Sequence, residues 1–527
     1  MNAPHAHTSA QVPAVQDSRN RPARSAHVPP PDRHAVPAHG VPAPAVPSAT
    51  YGAVTRGGDL PAAVYDITVV GAGVVGSAVA RELARYPALR TALVDARDDV
   101  GDGTSKANTA ILHTGFDAVP GSLESRLVRD GSRLLAAYAA DCGIPLERVG
   151  ALLVAWDAEQ LAALPALAAK ARRNGYDDTV LLDAAEVRAR EPRLGPGVLG
   201  ALAVPGESVV CPWSTTLAYA TQAVRAGTDL HLNCRVARVD RVTGAAGHHV
   251  LTTDRGTLRT RWLVNAAGLR ADEFDLLLGH RDFTVRPRRG QLLVLDTPAR
   301  DLVRHILLPV PTALGKGVLV TPTVHGNVLV GPTAEDLDGP DAKDDTATTA
   351  EGLAGLRAQG ARIVPALLGA EVTAAYAGLR AATGHEDYRV RAHPAQRYVT
   401  LGGVRSTGLS ASLALAAHTL DLLTGAGLDP GPSAALPPIR VPDLGRTAER
   451  PCVRADLIAR DPAYGTLVCH CERVSLGEIR DALDSTVPPV TPDGLRRRTR
   501  ARGGRCQGSH CGAAVRDLLR RAGGTPT

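Results

Sequence analysis

Four of the chain's eight cysteines fall in two short stretches near its end. VCHC carries Cys469 and Cys471, and RCQGSHC carries Cys506 and Cys511. The spacing is C-x-C, 34 intervening residues, then C-x4-C. Soft thiolates select zinc or iron–sulfur, and four of them complete one tetrahedral zinc or one [2Fe–2S] cluster. Zinc sites more often use C-x2-C pairs, and a C-x-C pair is tighter. His470 and His510 sit beside the thiols, but four sulfurs already suffice, so both read as hydrogen-bonding neighbours or exposed groups. Cys142, Cys211, Cys234 and Cys452 read as small buried hydrophobes. The arginine run at 496–505 supplies a positive field: solvated charge, support for an anionic cluster, or a dock for an acidic partner.

A second chemistry lies far upstream. YDITVVGAGVVGSAVARELARY is an apolar strand, a glycine turn with Gly71, Gly73 and Gly76, and a helix. Such a turn lets backbone approach a pyrophosphate at a helix N-terminus. The next strand, TALVD, ends at Asp95, at about the offset where an acid meets a ribose hydroxyl. The motif alone does not separate FAD from NAD. Two later turns bear on that choice: the small residues 265–268 in RWLVNAAGLRAD, and Gly402, Gly403 and Gly408 in YVTLGGVRSTGLSASLALA. Three such turns spread along the chain suit one long cofactor built into the fold.

The elements that position these groups follow from length and patterning. The 527 residues suffice for two to four domains. Net charge is +6, and the basic residues are scattered apart from GLRRRTRARGGR, which argues against a nucleic-acid partner. No apolar run is long enough to span a bilayer and no secretion signal is visible, so the expectation is a cytoplasmic chain with reduced thiols. Residues 1–62, rich in Pro, Ala and His, are expected to be a disordered tail. Alternating strands and helices run over 63–430, a Pro-rich flexible linker over 431–460, and a small module over 461–522.

GTSKANTAILHTGFDAVPGSL, VNAAGLRAD, RPRRGQLLVLD, KGVLVTPTVHGNVLVGPTAED, AGLRAATGHEDY and GGVRSTGLSASLALA resemble the FAD-dependent D-amino-acid-oxidase superfamily. Within it they most resemble FAD-dependent glycerol-3-phosphate dehydrogenases and oxidases, over about residues 65–425. The resemblance implies an α/β fold: a Rossmann-like FAD-binding domain in pieces (about 65–140, 205–275 and 375–430) and an α+β substrate domain with a large antiparallel sheet. GQLLVLD, GVLVTPT and NVLVGPT read independently as strands of such a sheet. VCHCERVSLGEI, TPDGLRRRTRARGGRCQGSHC and GAAVRDLLRRA resemble the bacterioferritin-associated-ferredoxin-like [2Fe–2S] domain. That implies a small helical C-terminal module with Cys469, Cys471, Cys506 and Cys511 as ligands.

Oxidising an alcohol requires a hydride acceptor, a base and cations that hold the anionic end of the substrate. His113, in AILHTGFD, is the candidate base, because an imidazole accepts a proton near neutrality. By resemblance its segment passes under the flavin, with Ser105, Lys106 and Asn108 near the cofactor. Arg380 and Lys316 are the candidate anion contacts, a planar fork and a point charge. Arg288 and Arg289 read as structural support. Arg405 reads as a flavin contact, and Ala267, Gly268, Gly403, Ser406, Gly408 and Leu409 join the glycine turns and Asp95 in holding FAD.

The implied activity is oxidation of sn-glycerol 3-phosphate to dihydroxyacetone phosphate by hydride transfer to flavin. Electrons would leave by the [2Fe–2S] centre to a quinone-linked subunit or soluble carrier, with any membrane attachment made through a partner. The alternatives are oxidation of a 2-hydroxy acid such as 2-hydroxyglutarate, or of an amine, and a non-catalytic electron-transfer subunit.

Overall fold

Strand Tyr65–Val70 is buried along nearly its whole length, the pattern of a parallel strand covered on both faces. It pairs in parallel with Thr91–Val94 and with Gly256–Asn265. Asp229–His231 and Tyr398–Gly402 extend the parallel set on either side. The antiparallel strands His248–Thr253 and Val236–Val242 continue a sheet of nine strands. Helix Val74–Leu83 packs between Pro212–Arg225 and Gly408–Gly425, and Leu123–Cys142 packs on the latter. These details come from a computed structural model, which describes residues 51–244, 247–311 and 317–524. Lys316 and residues 1–50 lie outside the described residues.

A second nine-stranded sheet forms the substrate domain. Its longest pairing is antiparallel, Val285–Leu295 against Val372–Thr383, with Arg288 opposite Arg380 and Gly290 opposite Gly378. Leu319–Pro322 and Val328–Gly331 are also antiparallel, as the strand patterns indicated, whereas Ile306–Pro309 and Ala151–Ala155 form a parallel pair. A three-stranded sheet links the two layers: Ser208–Val210 pairs with both Ile111–Leu112 and Leu146–Glu147.

The C-terminal module is a hairpin, Leu467–Cys469 with Val474–Ser475, followed by helices Leu476–Leu483, Pro492–Thr499 and Gly512–Arg521. Ser475 and Glu478 close a capping box on the first helix, satisfying two orphan amides reciprocally. Val474, Ile479, Leu495, Val515 and Leu519 make a small core that also contains Cys469 and Cys511.

Two expectations from sequence need correction. Residues 51–62 are not a solvated tail: Val54–Thr55 adds a parallel strand beside Asp229–His231, and Arg56 donates to the carbonyls of Asp98 and Pro488. The Pro-rich stretch after residue 430 is not a free spacer. Ile439, Val441 and Leu444 are buried, and its backbone is tied to Cys142, Arg85 and Val324. Ile439 and Val441 pack into the core of the first sheet and its helices, so the stretch acts as a strap.

Candidate functional site

The glycine turn is held closed by close backbone contact. A Cβ on Gly76 would lie 1.8 Å from the Gly71 carbonyl oxygen, so no side chain fits there. Asp95 accepts from the amides of Ala72 (2.6 Å) and Arg97 (2.8 Å), and burial pushes its carboxyl up. Each oxygen keeps lone-pair capacity for a ribose hydroxyl. Ser105 Oγ accepts from the Val74 amide at 2.9 Å, joining the 104–113 segment to the helix start. Helices Val74–Leu83 and Gly408–Gly425 begin without a side-chain cap or an acid in the first turn. Leu123–Cys142, Ala158–Arg173 and Ala350–Ile363 all carry side-chain caps. Apart from the Val74 amide that Ser105 takes, these two starts leave orphan amides able to face a pyrophosphate and an electron-rich ring edge. Gly268 adopts φ +58°, and nothing lies within 4 Å of where its Cβ would be. These residues fit FAD.

Asn108 knots its own loop: its side chain bonds the Ser105 carbonyl and the Ala110 amide. Ala267 receives the Asn265 side-chain oxygen on its amide, and Asn265 donates to Ala271, Asp275 and Thr400. Arg405 bonds the His385 carbonyl and Glu124 (3.3 Å), while Ser406 is exposed.

The reacting centre is set by strand register. Leu112 lies opposite Ser208 in the antiparallel pair, so the next residues, His113 and Glu207, meet. His113 Nδ1 lies 2.9 Å from Glu207 Oε2, and the other carboxylate oxygen accepts from Thr114 N (2.7 Å) and Oγ1 (2.9 Å). Glu207 is fully buried. Because the carboxylate accepts, the neutral imidazole carries its proton on Nδ1, and Nε2 is the basic nitrogen. The His113 amide donates to Ser410 Oγ (2.8 Å), setting the residue against the first turn of Gly408–Gly425.

Strand Val372–Thr383 crosses the same segment. A Cβ on Gly378 would fall 2.1 Å from the Ala107 carbonyl oxygen, and Tyr376 OH donates to the Asn108 carbonyl at 2.8 Å. Side chains alternate along a strand, so Arg380 shares this inward face with positions 376 and 378. Its Nη2 donates to the Thr333 carbonyl (2.7 Å), and its Nε reaches the Arg288 carbonyl (3.4 Å). No carboxylate pairs with it among the described residues. Burial, with Arg288 adding, pushes its pKa down to about 10, which still leaves the cation charged. Arg288 is bound to Asp336, and Arg289 to Glu335 and Asp345, so both are braces.

The four thiols gather in two pairs, Cys471 with Cys506 and Cys469 with Cys511. The His510 and Gly508 amides point at Cys506 and bring its thiol down to about 7. The Cys506 amide serves Cys471 and the Arg502 amide serves Cys511, although burial pushes the latter thiol up to about 11. Among the described residues, no three His, Cys, Asp or Glu side chains group around one ion position. Two sulfur pairs with amide donors fit two irons taking two thiolates each.

The arginine run is the largest departure from expectation. Arg497 and Arg498 have side chains only 5% and 3% exposed, because both are clamped to the flavin domain. Buried Asp99 takes Arg497 at 2.6 Å and Arg498 at 2.7 and 2.8 Å. Asp102 takes Arg497 (2.7 Å) and Lys106 (2.9 Å), and Lys106 also reaches Asp493 at 3.0 Å. Lys106 is therefore a tie between the flavin segment and helix Pro492–Thr499. Trp213 donates to the Lys106 carbonyl (3.1 Å), lies under Arg496 and stacks on His325 with centroids 5.2 Å apart. Burial and Arg500 hold His325 down to about 3, so it is neutral. Cys142, Cys211 and Cys234 are buried, whereas Cys452 is partly exposed.

Sequence reading missed Glu207, Asp99, Asp102 and Asp493. The acidic string DARDDVGDG facing an arginine triplet was a signal for the clamp. Glu207 had none, since its role depends on a pairing across 94 residues.

Fold and site define a flavin-dependent redox enzyme with a fused iron–sulfur module. The chain belongs to the FAD-dependent oxidoreductase (DAO) family, whose model matches residues 66–422, and residues 467–521 match the BFD-like [2Fe–2S] binding domain. Its cofactors are FAD and a [2Fe–2S] cluster. A glycerol 3-phosphate dehydrogenase of Caloramator mitchellensis is 34% identical over 461 residues, covering 87% of this chain and 94% of that protein. That span is longer than the flavin domain alone. A glycerol 3-phosphate oxidase of Mycoplasma pneumoniae is 30% identical over 68% of this chain and 94% of its own length. The solved structure of dithionite-reduced L-α-glycerophosphate oxidase from Mycoplasma pneumoniae with FAD bound superposes with TM-score 0.64 at 28% identity, covering 69% of this chain and 95% of that one. No helix among the described residues is long and apolar enough to cross a membrane.

Proposed function

We propose that the protein oxidises sn-glycerol 3-phosphate to dihydroxyacetone phosphate. The observation that carries the reading is Arg380, a largely desolvated guanidinium without a carboxylate partner, on a strand face turned toward the flavin segment. A half-buried cation that no carboxylate pairs with directly is suited to an anionic ligand. The relatives named as acting on glycerol 3-phosphate support phosphate over carboxylate. When bound, FAD supplies a two-electron acceptor and the [2Fe–2S] centre a one-electron carrier.

In this reading Arg380 holds the phosphate, with Lys316 as a second cation. His113 Nε2 takes the hydroxyl proton, and Glu207 orients the ring and stabilises the imidazolium. Removal of proton and hydride together yields the ketone. The C-terminal module delivers electrons to a quinone-linked subunit or soluble carrier. Its support is the docking: helix Pro492–Thr499 is ion-paired to the loop that carries Ser105 and Lys106.

Anaerobic titration with glycerol 3-phosphate, recording the visible spectrum, tests the reading. Flavin bleaching by glycerol 3-phosphate in preference to 2-hydroxyglutarate and amines is expected. Preferential bleaching by one of the others would replace the substrate, and no bleaching by any would leave only an electron-transfer role.

A further inference from the structure

We propose that the solvent-facing edge of the [2Fe–2S] site is a landing surface for a soluble, acidic, one-electron carrier protein. The proposal rests on the reading that electrons leave the enzyme through the C-terminal module.

The site has an inside and an outside. Cys469 and Cys511 are 1% and 3% exposed and belong to the module's core, whereas Cys471 is exposed and Cys506 partly so. Arg497 and Arg498 are spent on the flavin domain's acids and take no part in the exposed edge, which Cys471 and Cys506 mark.

Around that outer pair the charge is one-sided. Arg473 is exposed two residues from Cys471, and the head group of Arg516 lies over Gly512, next to Cys511. Neither has an acid within ion-pair distance among the described residues. Arg505, beside Cys506, is 62% exposed even while it pairs with Asp296 and Glu371. Exposed His470 and His510 complete the rim. Of the acids beside it, Glu472 is held by Arg500 at 2.7 Å, and Asp296 and Glu371 are held by Arg505.

A rim with two unpaired cations and a largely exposed third steers and orients an anionic surface. A protein carrier fits better than a lipid surface. The exposed positions of helix Gly512–Arg521 are Ala513, Ala514, Arg516, Arg520 and Arg521, which offer no large apolar group to insert among acyl chains. Each encounter moves one electron and no atom. Two encounters, each reducing one carrier, restore the enzyme after one substrate oxidation, and the two substrate hydrogens leave as protons.

The test uses holoenzyme reduced with dithionite, freed of excess reductant and mixed in stopped flow with an oxidised flavodoxin of strongly negative charge. Equilibrium binding of the same flavodoxin is measured by calorimetry at 20 and 200 mM salt. The expected result is at least tenfold weaker binding at the higher salt. At least tenfold weaker binding and slower carrier reduction are expected in Arg473→Glu/Arg516→Glu, with iron content, visible spectrum and dye-coupled turnover unchanged. Should the double variant lose its cluster, Arg516→Glu alone, on the helix, gives at least a threefold loss. Equal binding by the variants would overturn the proposal. So would tighter binding of basic cytochrome c, or salt-sensitive binding confined to phosphatidylglycerol vesicles. Because dithionite bypasses the substrate, an inactive enzyme in the glycerol 3-phosphate titration leaves this result interpretable.

Discussion

Asp99→Asn should loosen the iron–sulfur module from the flavin domain. The Asp99 side chain is 1% exposed and accepts from both Arg497 and Arg498. Burial alone would raise its carboxyl, but the two guanidiniums outweigh it and hold the pKa down at about 2, against an ordinary 3.8. At about 1.4 kcal/mol per pH unit, that difference is roughly 2 kcal/mol in favour of the ionised, docked form. Removing the charge also leaves two buried cations uncompensated, for which breaking one side of a buried pair costs about 3 kcal/mol or more. The expected loss is therefore about 3 kcal/mol, at an interface rather than across the whole chain. Urea unfolding followed by visible circular dichroism of the cluster and by flavin fluorescence reads the two domains separately. The cluster signal should be lost first in the variant. The pH dependence has a definite sign. A carboxyl whose folded pKa is depressed stabilises above about 4, and the stabilisation disappears as pH falls through about 2. Wild-type docking should weaken in that window, with Asp493, also held low by Arg496, Arg497 and Lys106 against its burial, contributing alongside. A cluster transition displaced by less than about 0.5 kcal/mol in Asp99→Asn would refute the clamp as the main docking force.

Three further outcomes follow from the same geometry. Arg380→Leu should raise KM for glycerol 3-phosphate about 100-fold or more, since the proposed charge-assisted contact is lost, with Arg380→Lys intermediate in steady-state assays. His113→Asn should lower kcat by about 10²- to 10⁴-fold, the range for a general base, and Glu207→Gln by less, because the amide still occupies the space but no longer stabilises the imidazolium. A rate unaffected in His113→Asn would end that assignment. Gly76→Ala should yield protein without retained flavin, judged by absorbance after gel filtration, because its Cβ would sit 1.8 Å from the Gly71 carbonyl oxygen.

Much of the site was legible because local chemistry specifies it. A strand, a glycine turn and a helix create a pyrophosphate cradle from neighbouring residues alone, and four thiols at their spacing select a soft metal before any fold is known. The apolar strand runs GQLLVLD, GVLVTPT and NVLVGPT were legible for the same reason, since a short branched apolar run bounded by turn residues is a local signal. Lys106 shows where that logic stops. The family resemblance placed it near the cofactor, and in three dimensions its ammonium bridges Asp102 and Asp493.

Residue type and short-range spacing by themselves determined a dinucleotide cradle and a four-thiol soft-metal site, whereas FAD, the [2Fe–2S] cluster, the layout of the flavin domain and the candidate Arg380 came from the family resemblance. Only the tertiary structure decided that Glu207 stands behind His113, that a Pro-rich stretch is a strap, and that Arg497 and Arg498 are a buried clamp while Arg505 stays largely exposed. Those outcomes turn on which groups lose water and which find an opposite charge. Desolvation and pairing are set by residues hundreds of positions apart meeting in space, as Asp99 does Arg498 across 399 positions.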